Sequence, residues 1–256
     1  MDTARHGDGA NPTGETMKKI ALAVIAAALA ACGGGNGAPQ TAAAATAQVS
    51  AVIETYGDST TQGWESINGN GFITTANVPA LLQAGLQAQF GAGVTVSNQA
   101  VGGTEASQLL NGTDGVHAAW AQQMAASPAR IVMLNFSLND AYYIRVPKSG
   151  VIGEAPADYA AYMTQLVQIA KAAGKTVVLV EPNPTCEPVR QSALADYVAQ
   201  LRQVATAQGV MLVPHYDPIL NLPNWQAMLT DCLHPSDALY AIKANRELPI
   251  LAAMLR

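Results

Sequence analysis

Basic residues are scarce in this sequence: 13 Lys and Arg stand against 18 Asp and Glu, which gives a formal net charge of -5. No block of basic residues occurs anywhere, so nucleic acid is not expected as a partner. Long apolar runs are also missing beyond the N-terminus, where none approaches the roughly 20 residues that a membrane-spanning helix needs. The histidines are far apart and show no metal-ligand spacing, so the sequence predicts neither a metal nor another cofactor.

The N-terminus does carry a targeting pattern. Lys18 and Lys19 precede an apolar stretch at 20–31, and small residues lead into Cys32. A charged start, a short apolar region and a small-residue cleavage site describe a secretory signal. Residues 29–32 (LAAC) resemble the lipobox of bacterial lipoproteins, which implies that Cys32 is acylated and becomes the first residue of the mature protein. The alternative is an ordinary signal peptide with a chance cysteine near its cleavage site.

Three segments follow from this pattern. Residues 1–32 form an N-terminal extension and lipoprotein signal peptide, of which 1–16 are interpreted as the product of an upstream start codon or as an added segment. Residues 33–48 show no periodic pattern and are predicted to be a flexible tether, and the folded domain is predicted to span 49–256. Gly33 follows the cysteine, which implies by the same resemblance sorting to the outer membrane. The expected location is therefore the bacterial cell envelope, lipid-anchored, or the secreted fraction.

Short apolar runs alternate with longer helical patterns along the predicted domain. The predicted strands are rich in Val, Ile or Leu, as strands buried on both faces are, and they cover 49–56, 94–97, 130–136, 176–180 and 210–214. Helices are predicted at 79–90, 116–126, 156–173 and 188–208, and after Pro235. This alternation predicts an α/β fold, a three-layer α/β/α sandwich around a mostly parallel five-stranded sheet. Chemistry is then expected at the carboxyl ends of the strands.

Residues 56–63 (YGDSTTQG) directly follow the first predicted strand. A serine at a strand-to-helix turn can hold its hydroxyl above the sheet edge, and flanking glycines allow the tight turn. The helix that follows would aim N–H groups at a developing negative charge. Ser59 is therefore a candidate nucleophile. The alternative is a loop in which Asp58 or Ser59 simply caps the helix.

Residues 231–235 (DCLHP), close to the C-terminus, contain a candidate base. A serine hydroxyl is a weak nucleophile until a base accepts its proton, and the base needs a carboxylate that holds its tautomer. Asp231 and His234, three positions apart in a turn before a helix, could form that pair. The alternative is a capping aspartate and a surface histidine, because Asp-x-x-His alone is a weak signal.

Together the two motifs resemble the GDSL, or SGNH, hydrolase family, whose fold is the three-layer, flavodoxin-like α/β arrangement. The resemblance covers about residues 51–238. Two further stretches stand in the family's order, 98–104 (NQAVGGT) after the second strand and 137–140 (SLND) after the third. One departure is Ser137, where the family usually has glycine; we expect this change to affect the shape of the pocket rather than catalysis.

The resemblance implies a role for each of these stretches. Ser59 is the nucleophile, His234 is the general base, and Asp231 orients the base. The oxyanion hole consists of the N–H of Ser59, the N–H of Gly103 and the side-chain amide of Asn139, with Gly102 as the alternative to Gly103. The physical logic agrees, because a tetrahedral intermediate needs two or three preorganised donors.

Other residues compete for these roles. His215 ends a predicted strand, with Asp217 two positions further on, and it could line the cleft or act as the base. His117 lies in a helical pattern and is interpreted as a packed or surface residue. Asp58 is expected to hold the nucleophile loop by hydrogen bonds rather than to act as an acid.

The cysteine count suggests one crosslink. With Cys32 assigned to the lipid, Cys186 and Cys232 remain for an oxidising compartment. Cys186 follows the fourth predicted strand and Cys232 lies between the candidate Asp and His, so both should lie at the catalytic edge. We predict a disulfide between them. The alternative is two unpaired buried thiols.

The motifs as a whole predict a serine hydrolase that cleaves carboxylic esters by two-step acyl transfer. The substrate is expected to be a short-chain or O-acetyl ester or a lipid ester, of a small molecule, a lipid or a polysaccharide. Inserts at 64–78 and 142–156 are predicted to be loops over the cleft that set specificity, through aromatic residues that include Trp64, Phe72, Tyr142 and Tyr143. Contact with the membrane is expected through the N-terminal lipid only. An acyltransferase with the same site and a catalytically silent, surface-anchored binding protein are the alternatives.

Overall fold

A parallel sheet lies at the centre of the structure, a computed structural model that describes residues 49–256. The strands are, in chain order, β1 Ala51–Gly57, β2 Trp64–Ile67, β3 Asn70–Ile73, β4 Val94–Asn98, β5 Ile131–Asn135, β6 Thr176–Val180 and β7 Met211–Val213. Five of them form one sheet in the order β4-β1-β5-β6-β7, and every neighbouring pair is parallel. β2 and β3 form a separate antiparallel hairpin.

Helices cover both faces of this sheet. They are α1 Ser59–Gln62, α2 Val78–Phe90, α3 Ala106–Asn111, α4 Trp120–Ala126, α5 Asp140–Tyr143, α6 Pro156–Ala172, α7 Pro188–Gln191, α8 Leu194–Gln208, α9 Tyr216–Leu220 and α10 Asp237–Leu255, with a 3₁₀ helix at Trp225–Met228. α3, α4, α6 and α8 pack on one face, and α2 and α10 pack on the other. The predicted three-layer α/β/α fold is therefore confirmed.

Burial of the central strands on both faces explains why their sequences are continuously apolar. In β5, Val132 and Leu134 point into the core under α6 and α8, whereas Ile131 and Met133 point into the core under α2 and α10. Successive side chains of a strand alternate between faces, so a strand covered on both sides needs an apolar residue at every position. Burying each such side chain contributes about 1.5–3 kcal/mol.

The predicted elements agree with the structure to within a few residues, with three differences. The stretch predicted as one helix at 188–208 is two helices, α7 and α8, separated by Ser192 and Ala193. The helix predicted from residue 116 begins at Trp120, because the Asp114 carboxylate accepts hydrogen bonds from the N–H groups of Val116 and His117 and holds them in a loop.

The insert predicted as a loop at 64–78 contains the β2–β3 hairpin instead. Its two-residue turn is Asn68-Gly69, and both residues have positive φ, 53° and 78°. A two-residue turn with positive φ at both positions matches the right-handed twist of the strands it joins, and Asn-Gly is the sequence that favours it. This signal was present in the sequence and was missed.

The sheet order determines which loops can meet. β1 lies between β4 and β5, and all three run in the same direction. The loops that follow them therefore emerge side by side at one edge, which is where ligands bind in open parallel sheets. Ser59 follows β1, Gly103 follows β4 and Asn139 follows β5, so these residues share that edge.

The predicted signal peptide at 1–32, its Cys32 and the predicted tether at 33–48 lie outside the described residues. Within 49–256, no helix has both the length and the apolar content that crossing a membrane requires.

Candidate active site

Ser59 lies at a tight turn between β1 and α1. The Asp58 side chain caps α1 by accepting hydrogen bonds from the backbone N–H and the hydroxyl of Thr60, both at 2.8 Å. Gly57 is required by close packing, since a Cβ there would lie 2.5 Å from the carbonyl oxygen of Asn135. Asp58 thus holds the loop, as predicted, and Ser59 stands at the first position of the helix, where N–H groups have no intrahelical partner.

Three side chains form a hydrogen-bonded chain from this turn to the C-terminal loop. Ser59 Oγ lies 2.9 Å from His234 Nε2, and His234 Nδ1 lies 2.7 Å from Asp231 Oδ2. The ring of His234 is largely buried, with 12% of its side chain exposed, while 32% of the Asp231 side chain is exposed. A hydroxyl, an imidazole and a carboxylate in this order can move a proton off the hydroxyl.

The turn that carries Asp231 and His234 is held by local bonds. Asp231 Oδ1 accepts from the backbone N–H of His234 at 2.8 Å and of Leu233 at 3.2 Å. Burial raises the pKa of the Asp231 carboxyl, but the hydrogen bonds from the backbone and ring of His234 outweigh burial, and the pKa lies below its usual value. The carboxylate is therefore ionised at neutral pH and available to the imidazole.

The predicted disulfide between Cys186 and Cys232 is present. Cys232 has φ 64°, a left-handed backbone conformation that is unfavourable for a residue with a Cβ. Its carbonyl oxygen also accepts from the backbone N–H of Cys186 at 2.9 Å and from the hydroxyl of Thr185 at 2.6 Å. The crosslink and these bonds tie the turn to the loop after β6, and a crosslink of this span contributes about 4 kcal/mol by loop-entropy arguments.

The loops after β4 and β5 bring polar groups toward Ser59. Gly103 has φ 77°, a conformation that favours glycine, and its carbonyl accepts a hydrogen bond from the Tyr143 hydroxyl at 3.2 Å. The side-chain amide of Asn139 donates to the carbonyl of Thr104 at 3.0 Å, which joins the two loops. One N–H of that amide remains for another acceptor, since an amide nitrogen carries two.

Ser137, the departure from the family pattern, lies behind these loops rather than in the cleft. It is fully buried, and its hydroxyl lies 2.8 Å from that of Tyr159. Its φ of 134° is in the region that favours glycine. The expected change in pocket shape is not seen, because the side chain points into the core.

An open cleft of about 580 Å³ lies above Ser59. It is lined by Ser59, Gln62, Trp64, Val101, Gly102, Gly103, Asn139, Tyr143, Arg190, Leu233 and His234. Of the aromatic residues predicted to contact substrate, Trp64 and Tyr143 line the cleft. Phe72 is exposed on β3, and Tyr142 packs against Arg190.

Arg190 is a cleft residue that sequence reasoning missed. Its guanidinium donates to the Asn139 side-chain oxygen and to the carbonyl of Leu138, and it stacks on the ring of Tyr142. The available signal was a charged residue close after the fourth predicted strand, at the expected catalytic edge. The sequence pattern predicts a helix there and gives Arg190 no other role.

The rival base His215 does not lie in the cleft. It is fully buried behind the sheet, where its Nε2 lies 2.8 Å from Glu247 Oε1 and its backbone N–H donates to Glu181. Burial lowers the pKa of His215, although the hydrogen bond that Glu247 accepts from its ring opposes the shift. The prediction that it could line the cleft is wrong, and its neighbour Asp217 pairs with Arg202.

His117 is a packed residue that bonds Asp114 at 2.7 Å and lies against the ring of Tyr56. Among residues 49–256, no group of three His, Cys, Asp or Glu side chains is arranged to hold a metal ion.

Buried acids lie behind the loops that follow β4 and β5. Asp140 is fully buried and accepts from the backbone N–H groups of Ala106 and Ser137, so it bridges the loops after β4 and β5. Burial and the nearby Glu154 carboxyl raise the pKa of Asp140. Burial and the Asp140 carboxyl raise the pKa of Glu105 to about 8. Asp140 therefore joins the two loops through backbone N–H groups that its carboxyl accepts from.

Comparison with known proteins agrees with this geometry. Residues 55–242 match the sequence profile of the GDSL-like lipase/acylhydrolase family. No curated protein sequence matches the chain significantly.

Solved structures share the fold at low sequence identity. A lipase/acylhydrolase from Enterococcus faecalis matches with TM-score 0.62 and 18% identity, over 80% of this chain and 97% of that one. An acetylxylan esterase from Geobacillus stearothermophilus matches with TM-score 0.59 and 20% identity, over 79% and 95%. An α/β hydrolase enzyme from the metagenome of Lake Arreo, Spain, matches with TM-score 0.59 and 21% identity, over 81% and 97%.

Proposed function

Because the chain belongs to the GDSL-like lipase/acylhydrolase family, we propose that it hydrolyses carboxylic esters through an acyl-enzyme formed on Ser59. The observation that carries this proposal is the continuous chain from Ser59 Oγ to His234 at 2.9 Å and on to Asp231 at 2.7 Å. No other histidine among residues 49–256 combines a carboxylate partner with a serine hydroxyl at the cleft.

In the first step, His234 Nε2 accepts the proton of Ser59 as its oxygen attacks the ester carbonyl. The imidazolium that forms is stabilised by Asp231, which is ionised and already bonded to Nδ1. The proton then passes to the leaving alcohol, and the acyl group stays on Ser59. In the second step, water attacks the acyl-enzyme with His234 again as the base, and the carboxylic acid leaves.

The charge that develops on the carbonyl oxygen is assigned to three donors. They are the N–H of Ser59 at the start of α1, the N–H of Gly103, with Gly102 as the alternative, and the free N–H of the Asn139 amide. Each preorganised donor of this kind contributes about 3 kcal/mol to transition-state stabilisation. This assignment is supported by the position of these residues, all of which line the same cleft as His234.

The matching experiment is hydrolysis of p-nitrophenyl acetate, butyrate and octanoate by the purified protein. Ser59→Ala is expected to lose at least about 10³-fold in kcat, as removal of a nucleophile does. Ser50→Ala, at an exposed serine before β1, is the matched control and should retain activity. Full activity in Ser59→Ala, or no hydrolysis of any of the three esters by the parent protein, would contradict the proposal.

The substrate class is proposed as a short-chain or O-acetyl ester, with a lipid ester as the second candidate. The acetylxylan esterase and the lipase/acylhydrolase among the similar structures support one candidate each. Trp64, Tyr143 and Leu233 give the cleft apolar walls that suit either a sugar face or an acyl chain. A kcat/KM that falls steeply from acetate to octanoate would support the first candidate, and a rise would support the second.

We further propose that the protein is anchored in the bacterial envelope through lipid on Cys32. The support is the sequence pattern of two lysines, an apolar stretch at 20–31 and small residues before the cysteine. Cys32→Ser is expected to abolish labelling by an alkyne-tagged fatty acid and to move the protein from the membrane pellet to the soluble fraction. Unchanged labelling would contradict the anchor.

A further inference from the structure

Arg190 contacts the amide that the oxyanion is expected to bind, and we propose that Arg190 is a positioning residue for Asn139. This inference rests on the proposed function, in which Asn139 donates its side-chain N–H to the carbonyl oxygen. Arg190 itself is 92% buried by its surroundings, with 8% of its surface exposed, and it lies in the wall of the cleft beside Asn139.

The guanidinium holds two consecutive residues of the loop after β5. Its Nε donates to the carbonyl of Leu138 at 3.1 Å, and its Nη2 donates to Asn139 Oδ1 at 3.3 Å. The group also stacks on the ring of Tyr142, 3.9 Å from the ring centre. Because the guanidinium is planar and presents its donors as a rigid fork, these contacts together determine where Asn139 lies.

Arg190 is in turn anchored from its own helix. Glu187 caps α7 by accepting from the backbone N–H of Arg190 at 2.9 Å, and its carboxylate accepts from Arg190 Nη1 at 3.2 Å. The carboxylate pairs with a different guanidinium nitrogen from the one that contacts Asn139. The contacts on Nε, Nη1 and Nη2 bind three of the five N–H donors of the guanidinium to protein groups, which favours a positioning role over direct binding of an anionic substrate.

The contacts also determine the orientation of the Asn139 side-chain amide, that is, which side carries the oxygen and which the nitrogen. Arg190 can only donate, so it must face Oδ1, while the carbonyl of Thr104 can only accept, so it must face Nδ2. Turning the amide by half a rotation would place its NH₂ group against the guanidinium and its oxygen against the carbonyl. The two contacts therefore present the remaining N–H in a single orientation before substrate arrives.

The test is a double-mutant cycle on ester hydrolysis with Arg190→Met, Asn139→Ala and the double variant. Removing one oxyanion donor costs about 10²–10³-fold in kcat, and mispositioning it is expected to cost about 10–100-fold, with KM changed less than about threefold. In the Asn139→Ala background, Arg190→Met should cost less than about threefold more, because the amide it positions is gone. Equal losses in both backgrounds, or an unchanged kcat in Arg190→Met, would overturn the proposal.

Two further variants separate positioning from loss of fold. Arg202→Met is the matched control, an arginine that also binds carboxylates but lies away from the cleft, and it should keep its kcat. Arg190→Lys retains the positive charge without the fork. It is expected to show the same non-additivity with Asn139→Ala at a smaller loss, and it serves if Arg190→Met does not fold.

A spectroscopic measurement tests the positioning role without activity. In protein labelled with ¹⁵N-asparagine, the side-chain signals of Asn139 are identified by their loss in Asn139→Ala. We expect slow hydrogen exchange of the side-chain proton that Asn139 donates to Thr104 in the parent and in Arg202→Met, and exchange at least about tenfold faster in Arg190→Met, which has lost a hydrogen bond and a stacked contact. Unchanged exchange would refute the positioning role, whereas an esterase that does not depend on Ser59 would refute only the proposed function.

Discussion

His234 and His215 each bond a carboxylate through one ring nitrogen, at 2.7 Å to Asp231 and 2.8 Å to Glu247. The second nitrogen distinguishes them. In His234 it meets the hydroxyl of Ser59 at the cleft, whereas in His215 it is buried without a hydrogen-bond partner among the described residues. A histidine–carboxylate pair therefore does not form a proton-transfer chain unless its second ring nitrogen meets a hydroxyl.

The sheet order supplies the physical reason for the difference. His215 follows β7, which is three strands away from β1 in the order β4-β1-β5-β6-β7. Neighbouring strands lie about 4.8 Å apart, so the two loops are separated by about 14 Å at the sheet edge. His234 reaches Ser59 because its loop crosses back over the edge before α10 begins.

The sharpest test of this comparison exchanges the two histidines for glutamine. His234→Gln is expected to lower kcat/KM on p-nitrophenyl acetate by at least about 10³-fold, because the serine loses its base. His215→Gln can still donate to Glu247 and should keep activity within about threefold when assayed well below its melting temperature. Comparable losses in the two variants would break the distinction.

The carboxylates should differ in the same way. Asp231→Asn leaves the volume unchanged but no longer stabilises the imidazolium, and we expect kcat to fall by about 10²–10³-fold. We expect a smaller loss than for a fully buried triad carboxylate, because the Asp231 side chain is about one third exposed and water can partly replace its interaction with the imidazolium. Glu247→Gln should lower the melting temperature while leaving kcat nearly unchanged. Measuring kcat and the melting temperature of both variants tests whether Asp231 serves catalysis and Glu247 serves stability.

The disulfide tests how the cleft pair is held in place. Cys186→Ala with Cys232→Ala is expected to lower the free energy of unfolding by about 2–4 kcal/mol, measured by denaturant titration. Activity of the folded fraction should fall less, by about tenfold or below, because Asp231 still binds the backbone of Leu233 and His234. An activity loss as large as that of His234→Gln would mean that the local bonds do not suffice.

The smallest expected effect is the pH dependence of stability that arises from the buried His215–Glu247 pair. Burial lowers the pKa of His215 below its unfolded value of 6.5, so the unfolded state binds more protons as the pH falls below that value. The melting temperature should therefore drop between pH 7 and pH 5. The drop should be smaller in His215→Gln than in the parent. An equal drop in both proteins would remove His215 as its cause.

Much of the fold could be predicted because the signals were local and repeated. A strand buried on both faces needs apolar residues at every position, and the run from Ile131 to Leu134 has them. The hairpin at Trp64–Ile67 and Asn70–Ile73 was missed although Asn68-Gly69 signals it, since each strand has only four residues. The division of residues 188–208 into two helices, Pro188–Gln191 and Leu194–Gln208, was missed as well.

The sequence predicts those site residues whose role follows from their residue type and a local motif. It does not predict roles that depend on residues distant in the chain. Ser59, Asp231 and His234 were named from their motifs, and the structure brings them within hydrogen-bonding distance. Arg190 was missed because its partner Asn139 is 51 residues away in the chain. The sequence makes His215 a rival base because it does not show that this side chain is buried.

Residue types and short spacings were enough to predict the strand–helix alternation, the family and the chemical groups present. The tertiary structure decided which of two similar histidines meets a hydroxyl, that Ser137 faces the core, and that Arg190 holds Asn139. These outcomes depend on which strands are neighbours and on burial. Both arise only when residues far apart in the chain pack together, because hydrogen bonds and desolvation act over distances in space rather than along the sequence.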